Sequence, residues 1–261
     1  MAEAAQLVEM ITPKVLIIRT PGTSGDFEIS TAFQNAGASV KTAHINEFIN
    51  SGLKIGDYQV LVFPGGFSYG DGLGAGKIMG NEIRIKLGDG ITRFTAEGGL
   101  ILGIGNGFQV LARAGILPGN DAGVTFTRND SGHFECRWTY LAVNPHCECV
   151  FTSGIEQLYL PSAHEQGKLV GDEDSLDNLH VALNYTDSSG RQPADYPDNP
   201  SGSLRGIAGI CDATGRIFGM MPHPERYIYN YQHPGWAMGL ADSPCDGFKI
   251  FSNAVDWVKR L

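Results

Sequence analysis

Hydrophobic residues in the first half of the chain fall into short continuous runs separated by amphipathic stretches. The runs predict strands over Lys14–Ile18, Ala38–Ala43, Tyr58–Phe63 and Gly99–Ile104. Helices are predicted between them, over Asp26–Ala36 with Phe27, Ala32 and Phe33 near helical spacing, over 76–97 with a break near Gly88 and Gly90, and from Phe108 to Ala114. Continuous apolar strands alternating with helices indicate a parallel sheet covered on both faces.

The pattern changes after Pro118. Short strands are predicted over 133–143, 148–151 and 155–160, and loops over 171–203, where Asp, Asn, Ser, Gly and Pro accumulate. Two further strands, Gly206–Cys211 and Arg216–Met221, flank a four-residue turn. A last helix begins with Ser243 as N-cap and Pro244 at its first position, and it buries Phe248, Phe251, Val255 and Val258. We therefore predict one flavodoxin-like α/β domain over 1–261, with an open, mostly parallel sheet and a β-rich and loop elaboration at about 119–205.

Composition narrows the classes of function. The chain has 261 residues and a net charge of −9, from 28 acidic and 19 basic residues, which argues against nucleic-acid binding. No run reaches the ~20 apolar residues of a membrane span, and the start MAEAAQLVEM lacks a secretion-signal pattern, so a cytoplasmic protein with no membrane partner is expected. Cys147 and Cys149 have no second cysteine pair at zinc-site spacing, so no metal site is predicted.

Candidate chemistry lies in three turns that follow predicted strands, where open parallel sheets bind ligands. The first turn, Pro64-Gly65-Gly66-Phe67, can present backbone N–H groups as an oxyanion hole. Taken alone, it is equally compatible with an ordinary turn. The third turn, Pro222-His223-Pro224-Glu225, offers an imidazole base and a carboxylate to orient it. A solvated turn is the alternative, and the rigid flanking prolines favour the catalytic interpretation.

The second turn spans 103–109 and has the layout of a nucleophile elbow, G-x-Nu-x-G, between a strand and a helix. Its nucleophile slot holds Gly105, which has no side chain to attack anything. A dinucleotide-binding loop is the rival interpretation. It is disfavoured because the turn follows the fourth strand, Phe108 stands at the third glycine position, and no acidic residue ends a strand about 20 residues later.

Together the three turns resemble the class I, or triad-type, glutamine amidotransferases. Within that family the chain is most similar to the glutaminase subunits of phosphoribosylformylglycinamidine synthase. The matching stretches run from about residue 14 to the end: PGGFSYGD (64–71), GNGFQVL (105–111), LPG (117–119), FTRNDSGHFECRW (126–138), YPDNPSGS (196–203), IAGI (207–210) and GMMPHPER (219–226).

The resemblance implies a reaction and a set of roles. A cysteine thiolate at the elbow attacks the glutamine side-chain amide, with His223 as base and Glu225 orienting it. Backbone N–H groups at Gly66 and Phe67, beside Gly65, and at Asn106 hold the oxyanion, and Gln109 contacts the glutamine. The implied partners are glutamine, a large synthetase subunit that carries ATP and magnesium, and a small bridging subunit. No cofactor is expected in this chain, which lacks an ATP-binding motif.

Several positions depart from the family pattern. Gly105 replaces the nucleophile cysteine, Gly74 stands where Arg is common, Ser201 where Asn is common, and AHEQG (163–167) where AHGEG is common. Two hypotheses follow. The chain is a glutaminase subunit whose catalytic version has cysteine at 105, or it is a non-catalytic partner that binds glutamine and the synthetase.

Overall fold

A computed structural model describes residues 11–50, 53–119, 123–192, 195–241 and 243–261. The segment 1–10, which carries the expectation about secretion, lies outside the described residues. Within the described ranges, eleven strands and six α-helices follow one another: β1 (Lys14–Arg19), α1 (Asp26–Asn35), β2 (Ser39–His44), α2 (Ile45–Asn50), β3 (Val60–Phe63), α3 (Lys77–Ala96), β4 (Leu100–Ile104), α4 (Asn106–Arg113), β5 (Val124–Thr127), β6 (Glu135–Val143), β7 (Gln157–His164), β8 (Lys168–Gly171), α5 (Glu173–Asp177), β9 (His180–Thr186), β10 (Ile207–Cys211), β11 (Ile217–Met220) and α6 (Asp246–Val258).

One sheet of nine strands organises the fold, in the order β2-β1-β3-β4-β11-β10-β9-β6-β7. The first five strands in this order are parallel, with Val15 beside Val60 and Gly219 beside Gly103. The other four are antiparallel extensions of the same sheet. β5 and β8 form a separate antiparallel pair. The predicted open α/β sheet is confirmed, and much of the predicted elaboration lengthens that sheet.

Two hydrophobic layers cover the parallel strands. Alternate residues of β1 and β3 face opposite sides, so Val15 and Val62 pack in one layer while Leu16 and Leu61 pack in the other. The first layer includes α1 and α6, which meet through an edge-to-face contact of Phe33 and Phe251 with ring centroids 5.1 Å apart. The second layer includes α3 and α4. No helix in the described ranges is long and apolar enough to cross a membrane.

Two helices differ from their predictions, one in its continuity and the other in its first residue. α3 runs unbroken through Gly88 and Gly90, because Leu87 and Ile91 are buried one turn apart on the same face and hold the helix against the sheet. α4 begins at Asn106, directly after the elbow residue, rather than at Phe108. In α1, Ala32 and Phe33 are buried, whereas Phe27 is 78% exposed.

The prediction for 171–203 was wrong in its most important part. α5 and β9 both lie there, and β9 is an inner strand between β10 and β6. Its Leu183 and Tyr185 are fully buried, but polar turn residues on either side masked this short apolar segment. Residues 148–151 were predicted as a strand. Instead they lead into a short 3₁₀ turn over Val150–Thr152.

The last helix begins later than predicted. α6 starts at Asp246, and Cys245, not Ser243, is its N-cap. The Asp246 carboxylate accepts hydrogen bonds from the Tyr159 amide at 2.8 Å and from Lys249 Nζ at 2.7 Å, which fixes the first turn against β7. The predicted inner face is otherwise confirmed, with Phe251, Val255 and Val258 buried and Phe248 partly buried.

Candidate active site

The second turn forms an elbow at the carboxyl end of β4. Gly105 has φ 53° and ψ −111°, a strained region that residues with side chains rarely adopt and that a nucleophile elbow requires. Its N–H donates to the Met220 carbonyl at 2.8 Å, and its own carbonyl accepts from the Phe108 amide at 3.0 Å, which starts α4. Gly107 lets that helix lie directly on β3, since a Cβ there would be 1.8 Å from the Phe63 carbonyl oxygen.

The third turn places a buried imidazole and carboxylate over the elbow. His223 Nδ1 is 2.8 Å from Glu225 Oε1, and the two side chains are 3% and 1% exposed. An ionised carboxylate only accepts hydrogen bonds, so Nδ1 carries the proton and Nε2 of the neutral ring is left as an acceptor. Among the described residues Nε2 has no hydrogen-bond partner. A Cβ built on Gly105 would be 3.1 Å from it.

Glycines make room for this pair. A Cβ on Gly65 would lie 2.8 Å from His223 Cε1, and a Cβ on Gly25 would lie 3.0 Å from Glu225 Oε1. Gly65 belongs to the predicted oxyanion turn, so the first and third turns are in contact. Gly65 therefore makes room for the imidazole, whereas Gly66 makes room for the backbone of Gly22 and Ser24.

The first turn is held against the loop between β1 and α1. The Ser24 amide donates to the Gly65 carbonyl at 3.0 Å, and the Phe67 amide donates to the Gly22 carbonyl at 2.8 Å. The Phe67 N–H is therefore engaged in this arrangement and would have to leave Gly22 to contact an oxyanion. Gly66 and Asn106 both line the pocket described below. The oxyanion roles of these residues stay predictions.

A polar network fixes the start of α4. Asn106 Nδ2 donates to the two carboxylate oxygens of Asp71 at 3.2 and 3.0 Å and to Gln109 Oε1 at 3.1 Å. Asn106 Oδ1 accepts from the Ser68 amide at 3.1 Å, and Asp71 also accepts from the Gly76 amide at 3.0 Å. Burial raises the pKa of Asp71, against the lowering effect of these hydrogen bonds. The network holds Asn106 and Gln109, the two α4 residues with predicted roles.

A second histidine in the site was not predicted to be functional. His164, at the end of β7, is 5% exposed, and its Nδ1 is 3.1 Å from Asn129 Oδ1. The orientation of the Asn129 side-chain amide is fixed, because its Nδ2 donates to the carbonyls of His133 and His164 while its Oδ1 accepts from the Gly167 amide. The imidazole therefore donates through Nδ1, and its Nε2 is a bare acceptor.

This histidine is neutral at ordinary pH. Burial first, and then the electrostatic interaction with His223, lower the pKa of His164 from 6.5 to about 4. Its Nε2 has no hydrogen-bond partner in the described part of the chain. The sequence signal was the motif AHEQG, which stood out only as a departure from the family pattern.

One pocket brings these groups together. It has a volume of about 130 Å³, roughly ten times what one water molecule needs. Residues from all three turns line it, with others from β6 and β7, and include Gly66, Phe67, Asn106, Gln109, Cys136, His164, Gln166, His223 and Arg226. Glu225 lies behind His223. The described residues contain no cluster of three or more His, Cys, Asp or Glu able to hold a metal ion.

Residues 12–258 match the model of the CobB/CobQ-like glutamine amidotransferase domain. The chain belongs to this family. It is 52% identical over 252 residues to phosphoribosylformylglycinamidine synthase subunit PurQ of Dehalococcoides mccartyi, covering 95% of this chain and 98% of that one. It is 40% identical to the PurQ subunit of Methanococcus maripaludis strain S2, covering 96% and 99%.

A solved structure gives the same relationship. The structure of PurLQS from Thermotoga maritima matches with a TM-score of 0.75 and 29% identity, covering 95% of this chain and 100% of the matched one. The prediction of a class I glutamine amidotransferase related to PurQ is thus confirmed, together with the flavodoxin-like fold. The family is one of enzymes in purine biosynthesis.

Proposed function

We propose that this chain is the glutaminase subunit of a phosphoribosylformylglycinamidine synthase and that Gly105 occupies its nucleophile position. The observation that carries the proposal is the buried Nε2 of His223, which has no hydrogen-bond partner among the described residues and lies 3.1 Å from the place of a Cβ on residue 105. A histidine activates a nucleophile when a carboxylate holds its Nδ1 and its Nε2 is directed at a strained elbow.

With cysteine at 105, each neighbouring group has a role. His223 takes the thiol proton, and Glu225 stabilises the imidazolium through the Nδ1 hydrogen bond. The thiolate attacks the side-chain amide carbon of glutamine, and the amides of Gly66 and Asn106 hold the oxyanion. His223 then returns its proton to the departing ammonia. The γ-glutamyl thioester that remains is hydrolysed by water to glutamate.

With glycine at 105, the chain binds glutamine without hydrolysing it. Loss of the nucleophile from a triad lowers the rate by about 10⁶-fold in a comparable hydrolase. Recognition of glutamine depends on other groups. Among them, Gln109 is held in the pocket wall by Asn106 and by the Gln166 carbonyl, which accepts a hydrogen bond from Gln109 Nε2 at 2.6 Å. His164 Nε2 offers a further acceptor for a ligand N–H group.

The partners follow from the relatives. Subunit PurQ is by name a subunit of phosphoribosylformylglycinamidine synthase, and the Thermotoga structure is of PurLQS. The proposed partners of this chain are a large synthetase subunit, which carries ATP and magnesium, and a small bridging subunit. The amidated substrate is formylglycinamide ribonucleotide, and this chain itself needs no cofactor.

A non-catalytic role is the second candidate. A glutamine-binding or regulatory subunit of the same synthetase needs the pocket but no nucleophile, and Gly105, which supplies no nucleophile, is the observation that supports it. The synthetase would then take ammonia from solution.

Substitution at 105 tests the proposal. Gly105→Cys, assembled with the synthetase, is expected to release glutamate from glutamine, while the original chain does not. Gly105→Ala is the matched control, since it adds the same Cβ, 2.9 Å from His223 Cε1, and the same backbone strain without a thiol. Turnover by the original chain at the rate of the cysteine variant would refute the nucleophile assignment.

Calorimetric titration with glutamine tests whether the pocket binds glutamine, as both candidate functions require. Binding to the isolated chain or to the assembled complex is expected. If the cysteine variant is inactive in the complex but glutamine still binds, the regulatory role is favoured. Absence of binding in both preparations would contradict both roles.

A further inference from the structure

Three of the five cysteines converge away from the pocket. Cys147 and Cys149 lie in the segment that follows β6, and Cys211 is the last residue of β10. The sulfurs of Cys147 and Cys211 are 3.0 Å apart although 64 positions separate them in sequence. The proposed glutaminase chemistry uses none of these residues.

The backbone on both sides holds this contact in place. Cys211 pairs with His180 of β9 and Phe218 of β11, so it is fixed inside the sheet. The segment carrying Cys147 is attached at both ends, since the Asn144 amide donates to Ala182 at 3.0 Å and the Val150 amide donates to Gly215 at 2.9 Å. A disulfide needs the two sulfurs to approach by only about 1 Å more.

The two thiols are not equivalent. Cys147 is partly exposed, whereas Cys211 and Cys149 are buried. The hydrogen bond from Cys211 lowers the pKa of Cys147, and the same contact, with burial, raises the pKa of Cys211. A thiol with a lowered pKa and access to solvent reacts most readily with an oxidant. Cys147 is therefore expected to be oxidised first, and Cys211 to form the disulfide with it.

We propose that Cys147 and Cys211 form a reversible disulfide on oxidation by a peroxide. The Cys147 thiolate attacks one peroxide oxygen, the O–O bond breaks, and hydroxide leaves to take up a proton as water. The sulfur of Cys211 then displaces hydroxide from the Cys147 sulfenic acid, so an S–S bond forms, an S–O bond breaks, and the Cys211 proton leaves in a second water. Two thiols lose two electrons and the peroxide gains them.

The bond would tie the segment after β6 to the end of β10, an inner strand of the sheet, without touching the pocket. Cys211 pairs near the beginning of β11, whereas the His223 turn follows the end of that strand. Closing a loop of 64 residues reduces the freedom of the unfolded chain and lowers the unfolding equilibrium constant by up to about 10³-fold. Glutamine affinity should stay the same in both redox states.

Mass spectrometry on the purified chain tests the inference. Hydrogen peroxide is expected to remove two hydrogen masses and to give a cross-linked peptide pair containing Cys147 and Cys211, both reversed by dithiothreitol. The urea midpoint of the oxidised protein should be higher. Cys147→Ser and Cys211→Ser should abolish these changes, and Cys149→Ala, which alters a buried neighbour, should keep them.

Two results would overturn the inference. One is a cross-link between Cys147 and Cys149 in place of the expected pair. The other is stepwise oxygen addition at Cys147, with Cys211 still available for alkylation after unfolding. Because both readouts are independent of glutamine, failure here leaves the proposed glutaminase role unaffected.

Discussion

Gly107→Ala should destabilise the protein by forcing α4, which follows the elbow, away from β3. Gly107 is the second residue of α4 and is buried where the helix lies on β3. An added Cβ would be 1.8 Å from the Phe63 oxygen, 2.5 Å from its carbonyl carbon and 2.9 Å from the Pro64 oxygen. All three are backbone atoms of the oxyanion turn and its strand, so no side-chain rotation can relieve the overlap.

The magnitude follows from how far the helix must move. Real Cβ contacts are essentially never shorter than 3.0 Å, so α4 and β3 must separate by about 1 Å or more. Overpacking of cores costs about 1–3 kcal/mol where side chains can adjust. Here the backbone must shift, so we expect a loss of at least about 3 kcal/mol, after the gain of roughly 1 kcal/mol in helix propensity from Gly to Ala.

Gly88→Ala is the matched control. Gly88 lies within α3, and a Cβ there would meet none of the described residues within 4 Å. The same chemical change should therefore stabilise the protein by about 0.5–1 kcal/mol. Urea unfolding of both variants with linear extrapolation measures the difference. If Gly107→Ala were as stable as Gly88→Ala, the close approach of α4 to β3 would be refuted.

Three further predictions concern the core, the polar network and pH. Phe33→Ala should cost about 3–5 kcal/mol and Phe27→Ala less than about 0.5 kcal/mol in urea unfolding, because Phe33 is fully buried and Phe27 is 78% exposed. Asp71→Ala should cost about 1–3 kcal/mol, because it removes the acceptor of Asn106 Nδ2, and Asp71→Asn should cost less; equal stability of Asp71→Ala and the original chain would contradict the network. His164 has a pKa of about 4 in the folded protein and of 6.5 in the unfolded chain. Between these values the unfolded state binds more protons, so about 3 kcal/mol of stability is lost as pH falls from 6.5 to 4. His164→Gln should show a shallower decline in unfolding free energy across that window.

The inner strands of the parallel half were predictable because they are buried on both faces and stand out as continuous apolar runs, as Val60–Phe63 does. β9 was not, since its apolar run is short and its neighbours are rich in turn formers. The three candidate turns were found through glycine and proline, which mark positions with special backbone conformations. The place of His164 in the pocket could not be found this way, because its tautomer is fixed by Asn129, 35 positions away.

The geometry around residue 105 also indicates what glycine gains there. A residue with a side chain at φ 53° and ψ −111° carries strain of about 1–3 kcal/mol, and its Cβ would press on the His223 ring at 2.9 Å. Glycine removes both penalties while the hydrogen bonds that shape the elbow, from Gly105 to Met220 and from Phe108 to Gly105, involve backbone alone. The elbow therefore needs no side chain at position 105 to keep its shape. Gly25 and Gly65 leave space for the His223–Glu225 pair, whose Nε2 has no hydrogen-bond partner in the described part of the chain. If position 105 is the nucleophile slot, as proposed, glycine there makes the elbow more stable, and we expect the pocket to keep binding glutamine without the covalent chemistry.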